Sequence, residues 1–169
     1  ATKIGKEWKE LHADRTIITT ADYAMIHMMR RRMPSQVKSL LCGGSSEVTV
    51  RNTLNGLSVQ CRIDHWMRDQ KQMSDLKTIG AIEDIEREIQ KRGYHIQARW
   101  YQRIVEQETG EMHDFALVFV EKAFPFRWRI VNLDADYQAI ADEAIDGALH
   151  GIKARIASGC WDDPMPLRI

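Results

Sequence analysis

Two aspartates and one lysine stand close together in a part of the sequence where polar and apolar residues alternate. Asp64 is followed, after ten residues, by Asp75-Leu76-Lys77. Because side chains alternate between the faces of a strand, Asp75 and Lys77 share a face and Leu76 points the other way. Mg²⁺ prefers carboxylate and phosphate oxygens, and a nearby lysine can orient a water or stabilise phosphate charge. The pattern is typical of a divalent-cation site that acts on a phosphate.

A third carboxylate, Glu47, lies on the polar face of the preceding strand. If these strands are neighbours, three carboxylates and Lys77 converge on one patch. Spacing alone is weak support, because an Asp followed at some distance by Asp-x-Lys is common by chance. Taken alone, it favours two polar strand positions and a solvated salt bridge.

Three short strands must position these residues. Alternation runs through 47–51 and 57–64, and the Asn55-Gly56 dipeptide between them is the strongest short hairpin signal. Residues 73–78 form the third strand. We therefore expect an antiparallel meander of three strands.

The rest of the chain shows helical periodicity and two further strands. Thr20 is the expected N-cap of a helix that Pro34 ends or kinks, with a further turn or two up to Leu41. Other helices are expected at residues 5–13, 81–92, 95–108 and 134–157, and strands at 115–120 and 126–132. The order α-α-β-β-β-α-α-β-β-α predicts an α/β fold with a mixed central sheet of about five strands flanked by helices. No repeat or linker interrupts it, so residues 1–169 are expected to form a single domain.

Composition limits the class of protein. Of the 169 residues, 44% are apolar and 28% are charged, which fits a chain with a buried core rather than a disordered one. No apolar run approaches the roughly 20 residues of a membrane span, and the N-terminus lacks a signal-peptide core. Three cysteines without CxxC spacing argue against a disulfide scaffold or zinc site, so a cytoplasmic protein is expected. Basic and acidic residues balance at 24 each, so any nucleic-acid surface must be local.

Several other side chains have simpler explanations than catalysis. His65 faces away from Asp64 on its strand, and His27 is expected to be a partly buried structural histidine. His95 stands at a helix start, where backbone N–H groups favour anions, but a phosphate contact there is not the favoured interpretation. A methionine group is expected to pack in the core or at an oligomer interface: Met25, Met28, Met29 and Met33.

Four segments carry a more specific signal than the aspartate spacing. They are Glu47-Val48-Thr49-Val50, Cys61-Arg62-Ile63-Asp64, Ser74-Asp75-Leu76-Lys77-Thr78 and Gly93-Tyr94-His95-Ile96-Gln97-Ala98-Arg99-Trp100-Tyr101. In this order they closely resemble the RecE-type (exodeoxyribonuclease VIII-like) branch of the PD-(D/E)XK nucleases. That branch has a carboxylate strand, an R-P-D strand, a D-L-K-T strand and a Y-H-x-Q-A-x-x-Y helix. The resemblance extends to Val120-Glu121-Lys122 and covers nearly the whole chain.

The resemblance implies roles for the acidic segment. Asp64 and Asp75 are similar to the metal-binding carboxylates, and the Leu76 carbonyl to a further ligand. Lys77 resembles the catalytic lysine, and Glu47 the auxiliary acidic position before it.

The helix that follows matches the family's Q-x-x-x-Y element at Gln97 and Tyr101, which pack against the site in this branch. Their spacing of four residues places both on one helix face. Two departures stand out. Ile63 replaces the usual proline, and we expect the helix that carries a metal-ligand histidine in this branch to precede the first residue of the sequence.

The resemblance implies a Mg²⁺-dependent deoxyribonuclease, with Mn²⁺ as a substitute ion. The expected reaction is 5′→3′ exonuclease digestion of linear double-stranded DNA from its ends in phage-type recombination. Expected partners are a single-strand annealing protein and further copies of the chain in a homo-oligomer. One alternative is a truncated or degenerate nuclease fold that binds DNA or a partner without cutting. Another is a nicking or restriction-type endonuclease on the same core.

Overall fold

The computed structural model describes residues 3–161, and Cα packing divides the chain into two compact units between Met33 and Pro34. The first unit holds two helices, α1 (Lys3–Leu11) and α2 (Thr20–Arg31). None of the described helices in either unit is long and apolar enough to cross a membrane.

A capping box fixes the start of α2. Thr19, rather than the predicted Thr20, is the N-cap. Its Oγ1 accepts a hydrogen bond from the Asp22 amide at 3.1 Å, and the Asp22 carboxylate accepts one from the Thr19 amide at 3.4 Å. The reciprocal pair satisfies two amides that a helix start otherwise leaves without partners.

Helix α2 has no buried side chain. The prediction of a partly buried His27 is therefore wrong: His27 is exposed, and its ring centroid lies 4.3 Å from that of Tyr23. Core packing of the methionines in α2 is wrong for the same reason, with Met28 exposed and Met25 and Met29 only half-buried. Their role at an oligomer interface stays a prediction.

The second unit combines a five-stranded sheet with four helices among its described residues. The strands are β1 (Ser45–Leu54), β2 (Leu57–Met67), β3 (Gln72–Ile79), β4 (Asp114–Glu121) and β5 (Trp128–Asn132). The helices are α3 (Ser35–Leu41), α4 (Ile85–Arg92), α5 (Tyr94–Thr109) and α6 (Ala135–Ser158). The strand order is β1-β2-β3-β4-β5, with one parallel pair, β3 and β4. The α/β fold with a mixed five-stranded sheet is confirmed, and α3 is a separate helix rather than an extra turn of α2.

The predicted hairpin joins β1 and β2. Asn55 and Gly56 have φ values of 51° and 78°, and the ladder closes with Leu54 opposite Leu57. Positive φ at both central residues is what a tight hairpin turn with the right-handed strand twist requires. The Asn-Gly signal therefore sets the register that places Asp64 along β2.

Strands β2 and β3 stay together for only three residue pairs. The last of these is His65 opposite Ser74, so the strands part where Asp64 and Asp75 would be the next pair. On its other side, β3 pairs with β4 along its whole length, from Gln72 to Ile79. The parting leaves an opening in the sheet that begins at the two aspartates.

Helix α5 covers the sheet with fully buried residues that include Ala98, Ile104 and Val105. Helix α6 packs on α5 and is tied to it by ion pairs. Arg99 Nε lies 2.9 Å from Asp142 Oδ2, and Arg103 bridges Asp142 and Asp146. These contacts fix α5, which carries Gln97 and Tyr101.

The predicted buried strand is confirmed as β4, in which every residue after Asp114 is buried. At its end, the Glu121 carboxylate accepts hydrogen bonds from the Ile82 amide and from the Arg127 guanidinium. The hydrogen bonds from Arg127 lower the pKa of Glu121 to about 2. Glu121 therefore has a structural explanation, in holding the segment after β4 against the turn before α4.

We predict that Ile104→Ala, at a side chain with 0% exposure, destabilises the protein by about 2–5 kcal/mol because it leaves a cavity under the sheet. Ile140→Ala is the matched control on α6, where the side chain is 55% exposed, and should change stability by less than about 0.5 kcal/mol. Urea unfolding followed by circular dichroism measures both. Equal effects would contradict the placement of α5.

Candidate active site

Asp75 is the centre of the candidate site, and its side chain is 1% exposed. Lys77, two residues along β3, places its Nζ 2.7 Å from Oδ1 and 2.9 Å from Oδ2 of Asp75. Gln97 on α5 donates from Nε2 to Oδ2 at 2.7 Å. A buried carboxylate needs such partners, because burial without them costs several kcal/mol.

One oxygen of this carboxylate is not fully satisfied. Oδ1 of Asp75 is buried and accepts no hydrogen bond from the described residues, although the Lys77 ammonium lies 2.7 Å away. The contact supplies charge without a well-directed hydrogen bond. A carboxylate oxygen has more than one lone pair, so this oxygen can contact Lys77 and still bind a metal ion.

Asp64 lies beside Asp75 at the point where β2 and β3 part. Burial, the charge of Asp75 and hydrogen bonding between the two carboxyl groups together raise the pKa of Asp64 to about 6, against the lowering effect of Lys77. Two carboxylates this close repel each other when both are ionised. The structure therefore places together two oxygen donors that gain from a shared positive charge.

Helix α5 supplies the wall of the site. Gln97 and Tyr101 lie one turn apart, with Gln97 Nε2 3.4 Å from Tyr101 Oη. The Tyr101 ring meets Phe115 edge-on at a centroid distance of 5.8 Å. The predicted shared face is confirmed, and the pair links the Asp75 carboxylate to the core.

Tyr94 is a site neighbour that sequence reasoning missed. The Lys77 Nζ lies 4.6 Å from the centroid of the Tyr94 ring, within range of a cation–π interaction. The available signal was helical spacing, since Tyr94 precedes Gln97 by three residues and so shares its side of α5.

Glu47 stands at the edge of the site rather than inside it. Its backbone has φ of 58°, and its carboxylate pairs with Arg62 Nε at 2.7 Å. Its negative charge contributes to raising the pKa of Asp64, because the two carboxylates repel each other. The auxiliary role of Glu47 stays a prediction, as does metal binding by the Leu76 carbonyl.

The possible metal donors at this site are carboxylate oxygens. Among residues 3–161, no group of three or more His, Cys, Asp and Glu side chains is arranged to hold a metal. The site offers the oxygens of two carboxylates, Asp64 and Asp75, and Lys77 contacts the second of them. Mg²⁺ commonly binds to one or two carboxylates and completes its shell with water and substrate phosphate.

The other candidate side chains lie outside the site. His65 is buried with Nδ1 3.4 Å from Ser46 Oγ, and His95 is buried with Nδ1 3.4 Å from the Ile89 carbonyl oxygen. Neither ring contacts Asp64 or Asp75 in these hydrogen bonds. Because the His95 ring is buried against the Ile89 carbonyl, the geometry does not support the phosphate contact considered for it. Burial raises the pKa of the Cys61 thiol to about 11, which makes it a poor nucleophile.

A solved structure shares this fold. A crystal structure of a candidate exonuclease from Eubacterium rectale matches 91% of this chain with a TM-score of 0.71 and 21% sequence identity. The match covers 62% of that protein, so this chain spans less than two thirds of its length. The crystal structure of SSO0001 matches 83% of this chain and 66% of its own at 18% identity, but its TM-score of 0.40 supports no argument.

A search of curated proteins gives no significant match. A family model described as a PDDEXK-like domain of unknown function, DUF3799, matches residues 2–161. Its span includes the aspartates, the lysine and the whole sheet, which together have the arrangement of the PD-(D/E)XK nuclease fold. The chain belongs to the DUF3799 family of PDDEXK-like domains.

Proposed function

We propose that this chain is a Mg²⁺-dependent deoxyribonuclease. The observation that carries the proposal is the buried Asp75 carboxylate, which contacts Lys77 and Gln97 beside Asp64 at the opening between β2 and β3. Membership of a PDDEXK-like family supports the same chemistry. A structural salt bridge would not require a second carboxylate whose pKa is raised by the first.

The residues divide the work of phosphodiester hydrolysis. Asp64 and Asp75 would hold the ion, which when bound polarises the phosphate and makes a water more acidic. Lys77 keeps its ammonium at the Asp75 carboxylate, where it orients a water for in-line attack and stabilises negative charge on the phosphate. Gln97 fixes the rotamer of Asp75, and Tyr94 holds Lys77 from the other side.

We propose further that the enzyme digests linear double-stranded DNA from its ends in the 5′→3′ direction, in phage-type recombination. This part rests on the resemblance to the RecE-type branch. A single-strand annealing protein and a homo-oligomer of this chain are proposed as partners on the same basis.

The second candidate is a nuclease fold that binds DNA without cutting it. The observation that favours it is the donor set, since no third acidic or histidine side chain joins the two aspartates within residues 3–161. The two proposals differ in metal-dependent cleavage, which the next variants measure.

We expect Asp75→Asn and Lys77→Gln each to lower the rate of DNA cleavage by roughly 10²-fold or more. Asp75→Asn removes a carboxylate that would hold the metal ion, and Lys77→Gln removes the positive charge that stabilises the phosphate. The assay is digestion of end-labelled linear duplex DNA with Mg²⁺, with EDTA as the metal control. Asp114→Asn, at an exposed position of β4, is the matched variant and should cut like the wild type. Full activity in Asp75→Asn would remove the site assignment, and an inert wild type that still binds DNA would favour the second candidate.

The exonuclease part has its own test. Linear duplex DNA labelled at both 5′ ends should release labelled mononucleotides early, whereas covalently closed circular DNA should survive. Cutting of the circle would instead indicate an endonuclease, and early loss of a 3′ label would reverse the direction.

Metal binding is also measurable without activity. Folding raises the pKa of Asp64 from 3.8 to about 6, so the metal-free protein loses stability as pH rises through this interval. Mg²⁺ should therefore stabilise the protein at pH 8, by about 2.7 kcal/mol at a hundred times its Kd. At pH 5, where Asp64 holds a proton, the gain should be smaller.

Urea unfolding with EDTA or Mg²⁺ at the two pH values measures this effect. Asp64→Asn should lose most of the gain at pH 8, whereas Asp114→Asn should keep it. An equal gain in both variants would place the ion elsewhere.

A further inference from the structure

A groove with two arginines and two aromatic rings adjoins the candidate active site. It has a volume of about 380 Å³, and its lining includes Arg51, Gln60, Arg62, Trp100 and Tyr101. Arg51 comes from β1, Gln60 and Arg62 come from β2, and the aromatic pair comes from α5. This volume lies in the range of small-ligand pockets.

Both ends of the lining connect to the site. Gln60, Arg62 and Asp64 alternate along β2 and therefore share a face of the strand. Arg51 joins them because it lies directly opposite Gln60 in the ladder. On the helix side, Tyr101 Oη lies 3.4 Å from Gln97 Nε2, which binds Asp75. Residues that line the groove therefore lie next to Asp64 along β2 and next to Gln97, the hydrogen-bond partner of Asp75.

The charge in the groove is positive and accessible. Arg51 is exposed, and only its Nε is engaged, with Gln60 Oε1 at 3.3 Å, so within residues 3–161 its terminal nitrogens have no hydrogen-bond partner. The Arg62 side chain is 67% exposed, and its Nε forms an ion pair with the Glu47 carboxylate. Planar guanidinium groups bind phosphate oxygens through paired hydrogen bonds.

The aromatic wall is fixed in place. The Trp100 indole Nε1 donates to the Gln60 carbonyl oxygen at 3.2 Å, and the side chain is only half-buried. A held, partly exposed indole beside exposed arginines matches how proteins bind unpaired nucleotides, by stacking bases on rings and neutralising phosphates.

We propose that this groove binds a single DNA strand that continues from the phosphate at the aspartates, with Arg62 and Arg51 on successive backbone phosphates and Trp100 under a base. The inference rests on the proposed nuclease function. Arg62 lies two residues from Asp64 on β2. Arg51 lies opposite Gln60, which is four residues from Asp64. Measured along the strand from Asp64, the two arginines are therefore about 7 and 13 Å away.

The test measures binding of a fluorescein-labelled 12-nucleotide oligo(dT) in EDTA by anisotropy across a salt series. Loss of one phosphate contact on a single strand lowers the salt slope by about 0.7 and the affinity about fivefold at 0.1 M salt. Arg51→Gln should show both changes. Arg129→Gln is the matched control, because Arg129 is exposed on β5 at the opposite edge of the sheet.

A second variant tests the stacking part. Oligo(dT) should quench the tryptophan fluorescence of the wild type, and Trp100→Phe should lose most of that quenching while keeping the salt slope. Unchanged quenching in Trp100→Phe would remove the indole from the groove's contacts.

The outcomes separate this inference from the nuclease proposal. If the wild type cleaves DNA, and Arg51→Gln and Arg129→Gln bind oligo(dT) equally well, the proposal for the groove is wrong and the nuclease proposal stands. If the wild type does not cleave DNA, but Arg51→Gln binds oligo(dT) about fivefold more weakly, the nuclease proposal is wrong and the proposal for the groove stands. Binding of duplex DNA but no binding of oligo(dT) by the wild type overturns the assignment to a single strand.

Discussion

Burial of one charged carboxylate is the constraint on which the site depends. Asp75 sits in the middle of a sheet whose strand β4 is buried on both faces, and only about 1% of its side chain reaches solvent. Its charge is stable there because Lys77 and Gln97 approach it from the same strand and from α5. Gln97 reaches Asp75 only if α5 keeps its position on the sheet. The ion pairs of Arg99 and Arg103 with α6 help to hold α5 in that position. The helix packing and the site chemistry are one arrangement.

Alternation and helical spacing were sufficient to predict much of this arrangement. The Asn55-Gly56 turn set the register of β2, and the i, i+2 spacing put Asp75 and Lys77 together. The i, i+4 spacing put Gln97 beside Tyr101. Local rules work here because each of these relations lies within one strand, one hairpin or one helix. The catalytic roles themselves stay predictions, because geometry shows proximity and not turnover.

The features that sequence reasoning missed depend on contacts between distant elements. The Lys77–Tyr94 contact needs β3 and α5 docked, and the parting of β2 from β3 after His65 and Ser74 has no local signal. The exposure of His27 also had no local signal, because an apolar pattern along a helix does not show whether another element packs against it. Ile63, where the RecE-type resemblance implies a proline, pairs with Val48 in the β1–β2 ladder.

The parallel pairing of β3 with β4 has a consequence for how the protein folds. Leu54 and Leu57 meet across a two-residue turn, whereas Asp75 meets Leu117 only after α4 and α5 have been traversed. Hairpins close in microseconds, and long crossovers are slower because the loop entropy is lost before the contacts form. A chain emerging from the ribosome thus carries both aspartates and the lysine early. The carboxylate of Asp75 stays hydrated until α5 and β4 pack against β3, so the environment of this side chain forms later than the β1–β2 hairpin.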